Sequence, residues 1–240
     1  MKNYFILLFT IISISTNAQN TFTAKYDFTF THPGNFGNAS FPNPVKHEGF
    51  LFKKNNSILS YTKPLYLKQY PKGRIDLPNN RSIFLNMDTL QYIDFQNTDS
   101  FYLRSYDKTT PYCIFFDFNI NIWNILPETK IILGKTCQKA IMHYPTPDKV
   151  YAIIWFDPTI QLGGIDFCNL RNAPGLIMEA EMPSTFVKFT MTEYKINPPV
   201  TDAQMTLKEL EGPCQPRRRL NSEQLNANKK RVEILQQVDF

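Results

Sequence analysis

The sequence contains few residue patterns that can do chemistry, and the first is a pair of acidic side chains. Glu179 and Glu181 lie two positions apart in a segment with strand-like alternation, so their Cα atoms are expected about 6.6 Å apart on one face. This separation suits acid–base catalysis or the binding of a cation. Apolar residues alternate with them at Met178, Ala180 and Met182. That alternation favours the simpler interpretation that both carboxylates cover the solvated face of a strand.

Histidine and cysteine side chains are the other candidates for catalysis. The chain has three histidines, His32, His47 and His143, and it lacks the motifs of zinc proteases, serine hydrolases and phosphate-binding loops. His143 shares one face of a predicted strand with Cys137, but six positions along a strand correspond to about 20 Å. The two side chains cannot meet within that strand. We therefore predict no catalytic residue, no metal site and no cofactor.

Four cysteines, at Cys113, Cys137, Cys168 and Cys214, permit three complete disulfide pairings. The sequence does not choose among these pairings. Cys168 and Cys214 lie in turn-like contexts, where a disulfide can close a surface loop. Cys113 and Cys137 begin apolar strands, where a free thiol packs as a small hydrophobic group.

The first residues have the layout of a secretory signal peptide. Lys2 supplies a positive charge, residues Tyr4 to Ile14 are almost all apolar, and small and polar residues lead to a cleavage site after Ala18 or Gln19. The apolar run is shorter than the roughly 20 residues that cross a bilayer. The cleavage region has no cysteine to carry a lipid. These features predict an exported protein of the periplasm or cell envelope that is not a lipoprotein.

Composition divides the 240 residues into a leader at 1–19, a β domain at 20–198 and a helical, basic tail at 199–240. A hydrophobic content of 42% excludes a wholly disordered chain. Helices are predicted at Thr201–Leu210 and Ser222–Gln237, where helix-forming residues replace β-branched ones. The whole chain has a net charge of +5, and six basic residues cluster near the C-terminus, at Arg217, Arg218, Arg219, Lys229, Lys230 and Arg231. An exported protein seldom meets nucleic acid, so we interpret this cluster as a solvated tail.

Alternation of apolar and polar residues dominates the β domain. From Thr21 to Thr31 the even positions are apolar and the odd positions polar, which predicts a strand with one buried face. Short polar breaks separate the later strands, so neighbours are expected to pair antiparallel. The further predicted strands are Gly49–Phe52, Ile58–Thr62, Leu90–Phe95, Ser100–Tyr106, Tyr112–Phe118, Lys135–Tyr144, Lys149–Asp157, Leu176–Met182 and Thr185–Tyr194.

The strand that contains Val150–Phe156 is apolar on both faces. Each face must meet a non-aqueous neighbour, which can be a second layer, a covering helix or loop, or an apolar cavity. We therefore predict a mostly β protein in which an antiparallel meander sheet curves into a half-open, carrier-like barrel with a short C-terminal helical tail. The likeness to lipid carriers is one of fold alone.

Three short motifs in the middle of the chain carry a resemblance to a known family. They are Cys137-x-Lys139-Ala140, an aromatic strand around Trp155, and Pro174-Gly175-Leu176-Ile177. In this order they resemble the GLPGLI family of secreted proteins from bacteria with two membranes. The leading Gly-Leu of the family motif is Asn172-Ala173 in this chain. The resemblance implies an envelope location and a β-rich shape, and it implies no particular reaction.

The Pro-Gly dipeptide of the third motif also predicts a local structure. Pro174 presets the backbone at the second position of a turn, and Gly175 accepts the positive φ that the third position of a type II turn requires. Residues 173–176 are therefore predicted to form a type II turn that leads directly into a strand. A recognition loop is the alternative interpretation.

Taken together, these features predict an exported, non-enzymatic envelope protein. Its partner is predicted to be an apolar ligand such as a lipid, or an outer-membrane protein, and not nucleic acid; the oligomeric state stays open. Two alternatives remain. An integral outer-membrane β-barrel fits Phe240 at the extreme terminus, and a hydrolase with an unidentified site fits the acidic pair.

Overall fold

A computed structural model describes residues 21–31, 45–77, 80–97, 102–107, 110–115, 123–143, 149–162, 170, 173–213 and 215–216. The predicted leader, His32, the cysteines Cys168 and Cys214, and the basic tail residues lie outside these ranges. The predicted helix Ser222–Gln237 lies outside them as well. In the part of the chain that is described, no helix has the length and apolar character needed to cross a membrane.

Strands make up most of the described chain. The short helices are α1 (Tyr66–Gln69) and α2 (Asp202–Met205), and a 3-10 turn covers Lys208–Leu210. The strands are β1 (Thr21–Phe30), β2 (Val45–Lys54), β3 (Ser57–Pro64), β4 (Arg74–Leu77), β5 (Arg81–Phe84), β6 (Gln91–Asn97), β7 (Tyr102–Asp107), β8 (Thr110–Phe115), β9 (Asn124–Ile132), β10 (Lys135–His143), β11 (Val150–Asp157), β12 (Leu176–Met182), β13 (Val187–Ile196) and β14 (Gln215–Pro216).

The first strand, β1, lies inside the main sheet and joins two groups of strands. It pairs antiparallel with β2 on one side and with β13 on the other. From β2 the sheet continues through β3, β6, β7 and β8. We call these five strands, β2 included, the N-terminal wing. From β13 it continues through β12, β11 and β10 to β9, which together form the C-terminal wing. The two-residue β14 pairs parallel with β8 at the outer edge of the N-terminal wing.

The prediction of a half-open antiparallel sheet is confirmed. The described sheet ends at β14 and β9, and these two strands do not pair with each other. The strands do not follow one another as a single meander, however. β8 and β9 are consecutive in the sequence but lie in opposite wings. The two wings are joined where β1 pairs with β13, for example at Phe22 and Ile196, and we call this β1–β13 pairing the seam. Alternation determines which face of a strand is buried, but it does not specify a distant neighbour.

The even-numbered residues of β1 form the centre of the main core, as the alternation predicts. Phe22, Tyr26 and Phe28 are buried. The rings of Tyr26 and Phe28 pack against Phe189 of β13, with ring centroids 5.6 and 4.6 Å away. The Tyr26 hydroxyl donates to the carbonyl oxygen of Ile177 at 3.1 Å, so this buried polar group is satisfied. The main core therefore ties β1 to the C-terminal wing.

The segment that follows β11 covers part of this core. Ile160, Leu162 and Leu170 are buried in the same apolar cluster as Ile154 of β11. Lys53 of β2 donates to the carbonyl oxygen of Leu162 at 2.9 Å and so fastens the segment to the sheet. One face of the two-sided apolar strand thus meets a covering loop, which was one of the predicted neighbours.

A smaller apolar cluster lies on the other face of the N-terminal wing. Ile58 belongs to the main core, whereas Leu59 packs with Ile93 and Leu210 in the smaller cluster. Neighbouring residues of a strand point to opposite faces, so the two clusters lie on opposite sides of β3. Leu207 also packs against the smaller cluster. The chain after β13 therefore crosses the outer face of the N-terminal wing.

The helix predicted over residues 201–210 is broken in two. Thr201 begins α2 with a capping box, in which its hydroxyl accepts from the backbone N–H of Gln204 and the Gln204 side chain accepts from the backbone N–H of Thr201. Thr206 and Leu207 then have extended backbones before the 3-10 turn. The extended step lets Leu207 and Leu210 pack on the sheet, and burial of this kind outweighs local helix propensity.

Some strands were not predicted, and β9 is the longest of them. Pro127, Glu128 and Lys130 interrupt its alternation, but an edge strand tolerates proline because one row of its backbone groups does not join a ladder. β9 leads into β10 through Leu133 and Gly134, both at positive φ, as in a type I′ hairpin turn. The hairpin β4–β5 and the short β14 were also not predicted.

Candidate functional site

The three motifs that carry the family resemblance lie on adjacent strands of the C-terminal wing. Lys139 of β10 pairs with Trp155 of β11, and Trp155 pairs with Glu179 of β12. Lys130 of β9 reaches the same surface, with its Nζ 4.7 Å from the centroid of the Trp155 ring. We call Lys130, Lys139, Trp155 and Glu179 the signature face.

The charges of the signature face neutralise one another. Lys130 Nζ lies 2.8 Å from Glu179 Oε1, and Lys188 Nζ lies 3.8 Å from the same oxygen. Lys139 Nζ lies 3.2 Å from Glu128 Oε1. Exposed ion pairs contribute about 0–1 kcal/mol each, but Glu179 is only 18% exposed and binds two lysines. This arrangement stabilises the sheet surface and leaves little charge for a ligand.

The second face of the two-sided apolar strand is covered by these lysines. Ala152, Ile154 and Phe156 point into the main core, and Trp155 is half-buried on the opposite face. Lys130 and Lys139 lie over the Trp155 ring at 4.7 and 5.9 Å. Long lysine side chains can cover apolar surface with their methylene groups while their ammonium groups stay in water.

The acidic pair lies on the outer face of β12, as the solvated-face interpretation predicts. Met178, Ala180 and Met182 are buried, whereas Glu181 is exposed and Glu179 is half-buried. Within the described ranges, no group of three or more histidine, cysteine, aspartate and glutamate side chains is placed to hold a metal ion.

The apolar motif residues have a packing role. Ala140, Leu176 and Ile177 are buried in the main core, and Cys137 is buried there as a free thiol. Burial raises the pKa of the Cys137 thiol, and the carboxylate of Asp157 raises it further. A thiol whose pKa is raised stays protonated and unreactive. Cys137 therefore behaves as the small hydrophobic group that the sequence predicts.

The predicted type II turn at residues 173–176 is wrong. Gly175 does not have a positive φ, which this turn type requires. It is needed for a different reason: a Cβ atom at this position would collide with the carbonyl oxygen of Asp157, the residue that pairs with Leu176. Glycine thus permits the close approach of two backbones where β11 meets β12.

A second candidate site lies at the C-terminal end of β1, where four aromatic rings meet. Phe30 stacks on Tyr92 with ring centroids 5.1 Å apart and an interplanar angle of 14°. The imidazole of His47 lies 4.7 Å from Phe30, 6.0 Å from Tyr92 and 5.6 Å from Tyr66. We call Phe30, His47, Tyr66 and Tyr92 the aromatic ledge. Tyr92 is 53% exposed and His47 only 3%, so the ledge is open at Tyr92 and closed at the histidine.

A chain of hydrogen bonds lies behind the aromatic ledge. His47 Nδ1 is 3.0 Å from the Thr62 hydroxyl, and that hydroxyl donates to the carbonyl oxygen of Gln91 at 3.1 Å. The Gln91 side-chain amide donates to the Tyr66 hydroxyl at 2.8 Å, and this hydroxyl donates to the carbonyl oxygen of Asn86 at 2.8 Å. These bonds hold the rings of His47 and Tyr66 in fixed positions.

Two features set the aromatic ledge apart from ordinary core. Burial lowers the pKa of His47 to about 4, so the imidazole is neutral at pH 7. Tyr92 has a φ of 49°, a left-handed conformation that is unusual for a bulky residue and tends to occur at functional positions. The ledge is therefore a neutral, largely apolar surface held in a strained local backbone.

The aromatic ledge was not predicted from the sequence, because its residues come from four separate elements. One signal was present: His47 alternates with Gly49 and Leu51, which places it on the buried face of β2. A histidine on the apolar side of a strand indicates a polar partner inside the fold, and that partner is Thr62. His143, the other described histidine, is half-buried at the end of β10.

Comparison with known proteins yields matches of structure alone. No protein-family model matches the sequence, and no curated protein matches it. Two solved structures of PNGF-II superpose on 89% of this chain, with TM-scores of 0.50 and 0.51 at 12% and 11% identity. The matched regions cover 33% and 32% of those chains, so this chain spans about a third of the length of PNGF-II. At such low identity the likeness shows the fold alone.

A third structure is a domain assigned to outer-membrane lipoprotein sorting in Vibrio parahaemolyticus. It superposes with a TM-score of 0.32 and 7% identity over 79% of this chain and 90% of that domain. A TM-score of this size does not establish a shared fold.

Proposed function

We propose that this protein is an exported, non-enzymatic protein of the cell envelope that binds an apolar ligand on the aromatic ledge. The observation that carries the proposal is the half-exposed Phe30–Tyr92 stack above a buried, neutral histidine. Aromatic rings offer a large apolar contact area with a defined orientation. Binding sites for small molecules are typically apolar surfaces with a few placed polar groups, and the ledge has this composition.

Binding of 2-methoxynaphthalene, a flat fluorescent ring compound without a hydrogen-bond donor, tests this proposal. We expect saturable binding to the wild-type protein. Tyr92→Asn removes the exposed ring but tolerates the left-handed backbone, and it should weaken binding roughly five- to tenfold, the value of one aromatic contact. Tyr92→Phe keeps the ring and should bind as the wild type does.

A matched control is available at the opposite end of β1. Tyr194 stacks on Phe22 with ring centroids 6.0 Å apart and an interplanar angle of 21°, which resembles the ledge stack but includes no histidine. Tyr194→Asn should leave the affinity for 2-methoxynaphthalene unchanged. Equal losses in Tyr92→Asn and Tyr194→Asn, or no binding at all, would refute the ledge as the ligand site.

Export and membership of the GLPGLI family are part of the same proposal. The leader-like residues before Asn20 support export. The placement of the three motifs on the adjacent strands β10, β11 and β12 supports the family resemblance. Mass spectrometry of protein from fractionated cells should find a mature N-terminus at Gln19 or Asn20 in the envelope fraction. Protein retained in the cytosol with Met1 in place would contradict both.

The edge strand β9 supports a second candidate function, the binding of an envelope protein partner. Among the described strands, β9 pairs with β10 alone, and Ile131 and Ile125 are 76% and 49% exposed. An exposed edge with apolar side chains can receive an extended segment of another protein. A photo-crosslinking residue at position 131 should capture an outer-membrane protein in living cells, whereas one at position 195 should not. Equal capture at both positions, or at neither, would argue against this function.

A further inference from the structure

One nitrogen of the buried His47 has no hydrogen-bond partner among the residues that the structure describes. Thr62 has a single hydroxyl hydrogen, and it donates this hydrogen to the carbonyl oxygen of Gln91. Thr62 must therefore accept from His47, which means that Nδ1 carries the proton of the neutral imidazole. Nε2 is then an unprotonated acceptor that points away from Thr62, and no described residue donates to it.

The other polar groups behind the aromatic ledge are already used. The Tyr66 hydroxyl both donates, to Asn86, and accepts, from Gln91. The Gln91 amide also donates to the carbonyl oxygen of Asp88 at 3.1 Å. Among the described side chains of this network, Nε2 of His47 is therefore the acceptor that remains for an incoming donor.

We propose, on the basis of the ligand-binding function above, that the aromatic ledge takes an apolar ring bearing a hydroxyl or amine donor, and that this donor binds Nε2 of His47. The ring of the ligand packs on Phe30 and Tyr92. The hydrogen bond to Thr62 holds the imidazole in place. A neutral imidazole accepts such a donor, whereas an imidazolium does not.

A matched pair of probes separates the donor from the ring. 2-Naphthol carries one hydroxyl donor, and 2-methoxynaphthalene has the same ring system without a donor. Hydrophobicity alone favours the methoxy compound. We expect 2-naphthol to bind roughly three- to tenfold more tightly, which is the net contribution of one hydrogen bond. His47→Phe, which keeps a ring but removes the acceptor, should abolish this preference, so that 2-naphthol no longer binds to the variant more tightly than 2-methoxynaphthalene does.

A measurement on the wild-type protein covers the case in which His47→Phe does not fold. Nitrogen-15 NMR of histidine-labelled protein distinguishes protonated from unprotonated ring nitrogens. At pH 7 we expect a protonated Nδ1 and an unprotonated Nε2 for His47. 2-Naphthol should move the Nε2 resonance toward that of a hydrogen-bonded nitrogen, and 2-methoxynaphthalene should not.

The outcomes separate the ligand class from the binding function itself. If both probes bind with equal affinity and the Nε2 resonance does not respond to 2-naphthol, the donor-bearing ligand class is overturned while the apolar binding function stands. If neither probe binds, both proposals fail together. If Nδ1 proves to be the unprotonated nitrogen, the hydrogen-bond assignment that supports the ligand class is wrong.

Discussion

The signature face and the aromatic ledge differ in how far their charged, polar and aromatic groups are paired with or covered by neighbouring side chains. On the signature face every charge has an opposite charge within 4 Å, and the half-buried Trp155 is covered by two lysines. On the aromatic ledge a ring stack is half-exposed and the backbone is strained at Tyr92. One nitrogen of the buried His47 there has no donor among the described residues. The polar and charged groups of the signature face are therefore paired with one another, whereas the aromatic ledge is the region for which we propose a ligand.

If the aromatic ledge binds the ligand as proposed, the recognisable motifs and the binding site lie in different regions of this molecule. Lys139, Trp155 and Glu179 stand in register on three strands, so their motifs can be explained by the packing of a sheet surface. Local sequence patterns are a good indicator of packing between adjacent strands. A site assembled from the ends of separated elements leaves no comparable pattern, although its side chains have the properties that binding requires.

The largest expected effect is the response of the aromatic ledge to acid. The pKa of His47 is about 4 in the folded protein, below the ordinary value of 6.5, so the unfolded chain binds the proton more strongly. The stability that this histidine contributes is complete above pH 6.5 and is lost as the pH falls toward 4. The loss amounts to roughly 3 kcal/mol at 1.36 kcal/mol per pKa unit. Urea unfolding of wild type and His47→Phe between pH 7 and pH 4 measures it, and parallel curves for the two proteins would contradict it.

Substitutions in the two regions should have smaller effects that fall separately on stability and on probe affinity. Trp155→Ala removes a half-buried ring and should cost roughly 2 kcal/mol, less than a fully buried aromatic residue, without changing the affinity for 2-methoxynaphthalene. Tyr92→Asn should instead weaken binding and reduce stability by less than about 1 kcal/mol, since it removes a half-exposed side chain. Denaturant unfolding gives the stability of each variant, and titration with 2-methoxynaphthalene gives its affinity. A loss of affinity in Trp155→Ala would mean that the two regions are coupled.

The ion pairs of the signature face should give a smaller, salt-dependent effect. Glu179→Gln deprives Lys130 and Lys188 of their shared partner and should destabilise the protein by about 1 kcal/mol. The difference from wild type should shrink in 1 M NaCl, because salt screens charges at this depth. Glu181→Gln, two residues away on the same face and exposed, serves as the control and should change stability by less than about 0.5 kcal/mol.

Much of the sheet could be predicted because each strand has one buried face. The alternation from Phe22 to Phe28 predicts which residues enter the core. The hairpin of β12 and β13 follows from the break at Pro183-Ser184. The seam between β1 and β13 could not be predicted in this way, because the strands that it joins are separated by almost the entire β domain. β9 was missed because an edge strand needs no regular alternation.

The candidate functional regions were predicted less well, for two physical reasons. The role of Gly175 depends on the nearby backbone of Asp157, and the Pro-Gly pattern alone suggested a turn type that the chain does not adopt. His47 appeared as one of three scattered histidines until folding placed it beside Thr62 and three rings. In both cases the decisive contact joins residues that are distant in the sequence.

The seam between the two wings has a consequence for how the molecule is made. β1 is synthesised before every other described strand, yet one of its two edges stays open until Val187–Ile196 exists to pair with it. A nascent or truncated polypeptide that stops before residue 187 would present an unpaired row of backbone groups beside Tyr26 and Phe28, which is a surface prone to aggregation. This open edge is removed only when β13 has been synthesised and pairs with β1.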